Sequence, residues 1–197
     1  MDKYEVELGK KLKKLTKRNK LLFAFWVSKR LFNNYVYFNK RMSFGDIDAM
    51  LDAINLIEES LKTDTTNIDE VKRVITSIDN NAPDMDDFST ILASFALDSC
   101  NSLYESLEYI LDEDDSHVIN IGTYARDSVH MFVQELEGLD YEDPKFECKM
   151  HSNQFMIKEM SAQDSVLSKL AKSDVDISKD ITFENIIDPS LVDDVSI

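Results

Sequence analysis

The chain has 197 residues, of which 43% are hydrophobic, and its 22 basic and 38 acidic side chains give a formal net charge of −16. This length is enough for one domain with a sizeable core, and a strongly acidic surface argues against nucleic-acid binding because it repels phosphate. Only four glycines and three prolines occur, so long segments run without a helix breaker, which favours helices.

The charge is distributed unevenly along the chain. Residues 1–41 contain 12 lysines and arginines against three acids, and residues 42–197 contain the other 10 basic residues against 35 acids. A basic arm can mark a nucleic-acid-binding protein. We expect this arm instead to lie against the acidic body of the same chain.

Two helices are predicted at the N-terminus, at about Lys3–Leu15 and Lys17–Arg41, and Thr16 is a suitable N-cap for the second. The second helix contains the block Leu21–Val27, which is apolar around the whole helix circumference. Such a helix packs on several sides, so we expect Trp26 and its neighbours in the core.

The same apolar block is too short to cross a membrane, which needs about 20 apolar residues. It also ends in a serine and two basic residues, without the small-residue cleavage site of a signal peptide. We therefore expect a cytoplasmic protein with no membrane partner.

Turn and cap residues delimit the next two helices. In the sequence SFGD, Gly45 is free to adopt a positive φ, and Asp46 is a predicted N-cap for a helix over Ile47–Leu61. A polar loop then leads to Asn67, the predicted N-cap of a helix over Ile68–Ile78.

Three further helices are predicted, over Asp86–Leu111, Val118–Leu136 and Lys145–Lys172. We interpret Asp86 and Asp87 as caps at the start of the first of these. The same helix carries small residues that permit close approach of a partner helix. They are Ala93, Ala96, Ser99 and Cys100.

The pattern therefore predicts an all-α, bundle-like domain of about seven helices over residues 1–172. Residues 173–197 form an acidic tail with seven acids against one lysine. Two interpretations of the tail stay open: an extended chain laid on the domain, or a mobile terminus. The first rests on the even spacing of Val175, Ile177, Ile181 and Phe183.

Three pairs of metal-ligand residue types occur at a spacing of three. They are Asp114 with His117, Asp127 with His130, and Cys148 with His151. The first two histidines are 13 residues apart, which places them about 140° apart around a helix. The acidic segment from Asp112 also lacks the glycine and the final carboxylate of a calcium loop. We therefore expect no metal and no cofactor.

Nucleophilic catalysis has no sequence signature here, because no serine or cysteine lies in a Gly-x-Ser-x-Gly-like turn. Asp98 shares the polar side of its helix with Glu105, so we expect it to be solvated or salt-bridged rather than catalytic. Cys100 and Cys148 are far apart in sequence and are expected to be reduced thiols.

Four sequence segments, NNYVYFNKRMSFGD, APDMDDF, ALDSC and DPKFE, resemble the bacterial YjaG-like family, domain of unknown function 416. The resemblance covers roughly residues 10–172 and weakens after Pro144, where the family usually has a tryptophan and this chain has Met150. It implies an all-α, bacterial, cytoplasmic protein and implies no activity. The matched positions are Asn34, Tyr35, Phe38, Phe44, Gly45, Asp46, Pro83, Asp86, Asp87, Phe88, Ala96, Asp98 and Cys100.

Our hypothesis from the sequence is a non-enzymatic protein-interaction module whose acidic surface binds a basic partner, as an immunity-type protein binds a basic toxin or nuclease. Homo-oligomerisation is a further option for its partner. The alternative is a helical enzyme with a carboxylate or metal pocket around Asp98 or His130. Convergent polar groups in a deep pocket would favour the enzyme, and a shallow acidic face would favour the binding protein.

Overall fold

The computed structural model describes residues 2–63, 66–172 and 182–193. The described residues contain helices and no strands, which confirms the all-α class, and they show nine helices where about seven were predicted. The helices are α1 (Lys3–Leu12), α2 (Lys17–Met42), α3 (Ile47–Lys62), α4 (Ile68–Asp79), α5 (Ile91–Asp112), α6 (Asp115–Glu137), α7 (Phe146–Ser152), α8 (Gln154–Leu170) and α9 (Ser190–Asp193). None of these helices combines the length and apolarity that crossing a membrane requires.

Helix α2 is the central helix of the domain and contacts α3, α5, α6 and α8. All seven side chains of Leu21–Val27 are at most 5% exposed. The predicted core helix is therefore confirmed: a block that is apolar all round is surrounded by other helices.

The broadest helix contact lies between α2 and α5, and small residues of α5 line it. The four small residues singled out in the sequence are all buried. Ser28 of α2 donates a hydrogen bond to the Ser102 carbonyl at 3.0 Å, and its Oγ lies 3.1 Å from Oγ of Ser106. Ser28 and Ser106 thus bring the helices close and have their hydroxyl groups paired, whereas Oγ of Ser99 has no hydrogen-bond partner among the described residues.

Three helix starts predicted from capping residues are confirmed, and α6 begins with a cap of the same kind. In each case the side-chain oxygen accepts a backbone N–H of the first turn, which satisfies a donor that the helix leaves unpaired. These N-caps are Thr16, Asp46, Asn67 and Asp114.

The helix predicted from Asp86 begins five residues later, at Ile91. Phe88 has an extended backbone (φ −132°, ψ 122°), which interrupts the helix. Oγ1 of Thr90 then accepts the N–H of Leu92 at 3.3 Å. Thr90 is therefore the N-cap of α5, and the helix begins at Ile91 instead of at Asp86.

The helix predicted over Lys145–Lys172 is wrong as a single element, because Asn153 divides it into α7 and α8. The Asn153 backbone is extended (φ −70°, ψ 137°), and its side chain accepts the N–H of Phe155 at 2.9 Å. Asparagine competes locally with the helical backbone in this way.

Residues 182–193, which we call the C-terminal strap, pack on the helical domain. Ile186, Ile187 and Val192 of the strap are buried, and α9 contacts α6. The extended path predicted through Val175, Ile177 and Ile181 lies outside the described residues.

A buried ion pair joins α2 to α8. Arg30 donates two hydrogen bonds to Glu159, at 2.7 and 3.2 Å, and the two side chains are only 4% and 2% exposed. Gln163 donates to Glu159 at 3.0 Å and to the Gly122 carbonyl of α6 at 3.2 Å. The polar groups of this pair are thus satisfied inside the core.

Replacing Trp26 by alanine should cost about 3–5 kcal/mol of unfolding free energy, because it opens a cavity among fully packed neighbours. Urea denaturation followed by circular dichroism measures this loss. The matched control is Ile68→Ala, at a side chain that is 57% exposed, and it should change stability by about 0.5 kcal/mol or less. Equal losses in the two variants would contradict the core role of Trp26.

Replacing Glu159 by alanine should cost about 3–5 kcal/mol, because it leaves the Arg30 charge buried without its partner. Glu58→Ala is the matched control: it removes the carboxylate from the surface pair with Lys62, and such pairs contribute about 1 kcal/mol or less. Urea denaturation of both variants separates the outcomes, and a Glu159 effect as small as the Glu58 effect would contradict the prediction.

Candidate interaction surfaces

The family-matched aromatic residues meet at one end of α2. Phe38, Phe44 and Phe88 pack edge to face, with ring centroids 5.0–6.0 Å apart. Phe44 lies in the α2–α3 turn and Phe88 lies in the segment between α4 and α5. The aromatic contacts therefore hold these two connections together at a point that we call the corner.

Gly45 and Tyr35 fix the shape of the corner. Gly45 has φ +79°, and a Cβ atom there would lie 2.0 Å from the Tyr35 hydroxyl. That hydroxyl donates to the Asn81 carbonyl at 3.0 Å. Asn39 donates to the carbonyls of Phe44 and Gly45, each at 2.9 Å. The glycine is therefore required both by its backbone angle and by close approach.

Four aspartates surround the corner, and we call Asp46, Asp84, Asp86 and Asp87 the acidic corner. Asp46 caps α3, and Asp84 accepts the Asp86 N–H at 3.0 Å, capping the short 3-10 helix Met85–Asp87. The interpretation of Asp86 and Asp87 as helix caps is therefore wrong. Their carboxylates are exposed, and neither forms an ion pair with the residues that the structure describes.

Other family-matched positions lie in the core. Cys100 is buried with its Sγ 4.0 Å from Sδ of Met50, and burial raises the pKa of its thiol to about 12. Pro83 is also buried. Asn34 is 2% exposed, and its Nδ2 has no hydrogen-bond partner among the described residues. Because its thiol is buried and has a raised pKa, Cys100 is not a nucleophile.

Asp98 lies between α5 and α6 and is only partly exposed, and it forms no ion pair with the residues that the structure describes. Ser128 of α6 donates a hydrogen bond to its carboxylate at 2.6 Å. Burial raises the pKa of Asp98 to about 7, and the nearby charge of Asp127 acts in the same direction. The neighbouring helix covers the side that α5 alone would leave open to solvent.

A second polar group lies on the same pair of helices. Glu105 accepts hydrogen bonds from Asn120 at 2.8 Å and Tyr124 at 3.3 Å, and it contacts Nδ1 of His117. Asp112 contacts the other ring nitrogen at 3.2 Å. Burial opposes protonation of this histidine, but the two carboxylates outweigh it and raise the pKa of His117.

The carboxylates that hold His117 are therefore Glu105 and Asp112, whereas Asp114 caps α6. Their hydrogen bonds join α5 to the start of α6 and leave the imidazole with both nitrogens engaged. Among the described residues, no group of three or more His, Cys, Asp or Glu side chains is arranged to hold a metal ion.

A cleft of about 420 Å³ opens between α1, α6, α7 and α8. Its apolar lining consists of Met150, Met156 and Met160, and His130 also lines it. The His130 ring packs against Phe146, with 5.5 Å between centroids. Methionine side chains are flexible, so the lining can adapt its shape. The ring that His130 packs against is aromatic, and its contact is not with a carboxylate.

The N-terminal basic residues lie against the acidic body, as expected. Three lysines form ion pairs with distant acids at 2.5–2.6 Å. The pairs are Lys11–Asp164, Lys17–Glu113 and Lys20–Asp115. The basic arm is thus partly neutralised within the chain, whereas the acidic corner forms no ion pair within the described part of the chain.

Stability should depend on the protonation of Asp98. Its folded pKa of about 7 lies above its ordinary value of 3.8, so the folded state favours the neutral acid. The contribution of Asp98 is fully present below about pH 4 and is lost as pH rises through about 7. Relative to Asp98→Asn, the wild-type protein should lose unfolding free energy between pH 4 and pH 8.

Urea denaturation of both proteins across that range measures the difference. His117 has a raised pKa and so changes stability in the same direction, but it is present in both proteins and cancels. Parallel stability curves for the two proteins would show that Asp98 keeps an ordinary pKa.

The family model described as "Protein of unknown function (DUF416)" matches residues 7–184, which extends beyond the limit of residue 172 expected from the motifs. A crystal structure of a DUF416 family protein from Shewanella baltica OS155 has a TM-score of 0.75 and 23% sequence identity, over 99% of this chain and 93% of that chain. At this identity the likeness is one of fold. No curated protein matches the sequence. The resemblance seen in the motifs is confirmed, and the chain belongs to the DUF416 family.

Proposed function

We propose that this protein is a non-enzymatic interaction module whose acidic corner binds a basic protein partner. The observation that carries the proposal is the exposure of Asp86 and Asp87. Most of the neighbouring matched residues have a role in the fold: aromatic packing, a helix cap, a glycine turn or a buried hydrogen bond. Asp86 and Asp87 have none, and charges that the fold does not use are available to a partner.

The surroundings of these aspartates favour a protein partner. Met85 follows the capping residue Asp84 and is 39% exposed. Phe44 and Phe88 are partly buried beside it. Apolar and aromatic atoms beside charges are typical of protein interfaces. The acidic excess beyond residue 41 would also speed the approach of a basic partner.

The enzymatic alternative has weaker support. Asp98 is hydrogen-bonded to a serine between two helices, and Glu105 and His117 engage each other. The methionine-lined cleft is a separate feature from these groups. Catalysis requires acid, base and substrate space to converge. The cleft does hold His130, Asp127 and Glu147, but Asp98 and His117, whose pKa values are raised, are not among the residues that line it.

We further propose a cytoplasmic location, because Cys100 and Cys148 are free thiols and the cytoplasm keeps thiols reduced. A role like that of an immunity protein, which neutralises a basic toxin or nuclease, would suit the acidic corner electrostatically. Such a complex forms fast at low salt, and its association slows as salt rises.

Reversing the charges in Asp86→Lys/Asp87→Lys should abolish capture of the partner. The experiment compares wild-type protein and this variant as baits in an extract of the source organism, and then measures association of the purified partner by surface plasmon resonance. We expect a basic protein, and an association rate at least tenfold lower for the corner variant.

The matched control is Asp69→Lys/Glu142→Lys, which makes the same change in net charge at exposed positions outside the acidic corner. It should retain the partner and most of the association rate. Equal losses in both variants would show that the partner responds to the net charge of the protein and not to the acidic corner. Capture of a nucleic acid or of an acidic protein would contradict the proposal.

A further inference from the structure

The C-terminal strap occupies a groove on α2 in the manner of a bound peptide. The α2 side of this strap groove consists of Phe25, Trp26, Lys29, Arg30 and Asn33. These residues follow one another at spacings of one, three and four, so they form one face of the helix. The strap crosses this face without regular secondary structure before α9 begins.

The groove recognises the backbone of the strap. Nε1 of Trp26 donates to the Thr182 carbonyl at 2.9 Å, and Nε of Arg30 donates to the Glu184 carbonyl, also at 2.9 Å. The two carbonyls are two residues apart and both face α2, and their donors, four residues apart on a helix, share a face. This geometry depends little on which side chains the bound segment carries.

Side chains add selectivity for an aromatic residue followed by an acid. Phe183 packs edge to face on Phe25, with 5.9 Å between centroids, and Nζ of Lys29 lies 4.8 Å from the centre of the Phe183 ring. The next residue, Glu184, has its carboxylate 3.3 Å from Nζ of Lys158 on α8. The groove thus presents two lysines on a protein whose charge is mostly acidic.

The family match ends within the strap, between most of its groove contacts and its buried anchors. The groove residues lie within the stretch matched by the family model, residues 7–184, whereas 185–193 lie beyond it. Those later residues include the buried anchors Ile186, Ile187 and Val192. The receiving surface and the strap residues Thr182, Phe183 and Glu184 that contact it therefore lie within the family-matched stretch, whereas the anchors that fix the strap lie beyond it.

We propose that the strap groove is a binding site for an extended acidic segment of a partner protein, with an aromatic residue directly before its acid, and that the strap is the intramolecular competitor for this site. The site is distinct from the acidic corner in position and in the sign of its charge. The two proposals therefore fail or succeed separately.

Competition within one chain makes a quantitative prediction. A tethered segment acts at an effective concentration of about millimolar, so an external peptide binds only the fraction of molecules whose strap is released. Weakening the strap should raise the apparent affinity of the groove for an external peptide. Weakening the groove itself should lower the apparent affinity for the external peptide.

The probe is a fluorescein-labelled synthetic peptide with the sequence of residues 182–193, titrated into the full-length chain and followed by anisotropy. The variant Ile187→Ala removes a buried strap anchor and should bind the peptide at least tenfold more tightly than the wild-type chain. Leu191→Ala, at a strap residue that is 45% exposed, is the matched control and should behave like wild type. Lys29→Glu in the Ile187→Ala background should abolish the gain.

Circular dichroism establishes that each variant is folded. Phe183→Ala is a second, milder strap variant, and it should give a smaller gain in the same direction. Peptide binding that is absent from both strap variants, or equal in all chains and insensitive to Lys29→Glu, would overturn the proposal. Disulfide cross-linking between an Asn33→Cys copy and an Asn185→Cys copy would also overturn it, because the occupant would then be a second copy of this chain.

Discussion

The position of Arg30 inside the domain is the constraint on which the surrounding structure depends. A guanidinium group on a helix buried on several sides must have its charge and its donors satisfied there. Arg30 lies 4.1 Å from the Trp26 ring centre, forms two hydrogen bonds with Glu159, and donates from Nε to the Glu184 carbonyl. These contacts bring α8 and the strap to α2, so one side chain sets the place of two elements that are distant in sequence.

The network around this pair extends to α1. Tyr4 donates from its hydroxyl to Gln163 at 2.5 Å, and Gln163 holds both Glu159 and the Gly122 carbonyl. A Cβ atom on Gly122 would lie 2.6 Å from the Tyr4 hydroxyl and 2.7 Å from Leu8. The glycine in α6 thus permits α1 to approach closely, and burial with the negative charge of Glu159 raises the pKa of Tyr4. The phenol consequently stays a neutral donor.

Local features of the fold could be predicted from the sequence, and features that join distant residues could not. The caps at Thr16 and Asp46 were predictable because a cap involves only a few neighbouring residues. The break at Asn153 is equally local, but asparagine is also tolerated inside helices, and only packing decides. Nothing in the sequence pairs Arg30 with Glu159, 129 residues away, because many arginine and glutamate pairs would fit the composition equally well.

The candidate sites show the same limit. The burial of Asp98 depends on Ser128 and on how α6 lies against α5, so a helical-wheel projection of α5 alone places it in solvent. The motif that identified the family led directly to the corner, yet it gave no means of separating residues that build the turn from those that project into solvent. Only the contacts make that division, and they leave Asp86 and Asp87 on the outer side.

Helix α2 also explains how one small domain can carry two surfaces of opposite charge. The strap groove lies around Arg30, and the acidic corner begins beyond Met42, where α2 ends. At 1.5 Å per residue the two are about 18 Å apart along the helix, which is about twice the screening length at physiological salt. Ligands at the two proposed sites would therefore have little electrostatic influence on each other. Helix α2 is buried by its neighbours along its apolar block, and this packing fixes the separation between the two proposed sites.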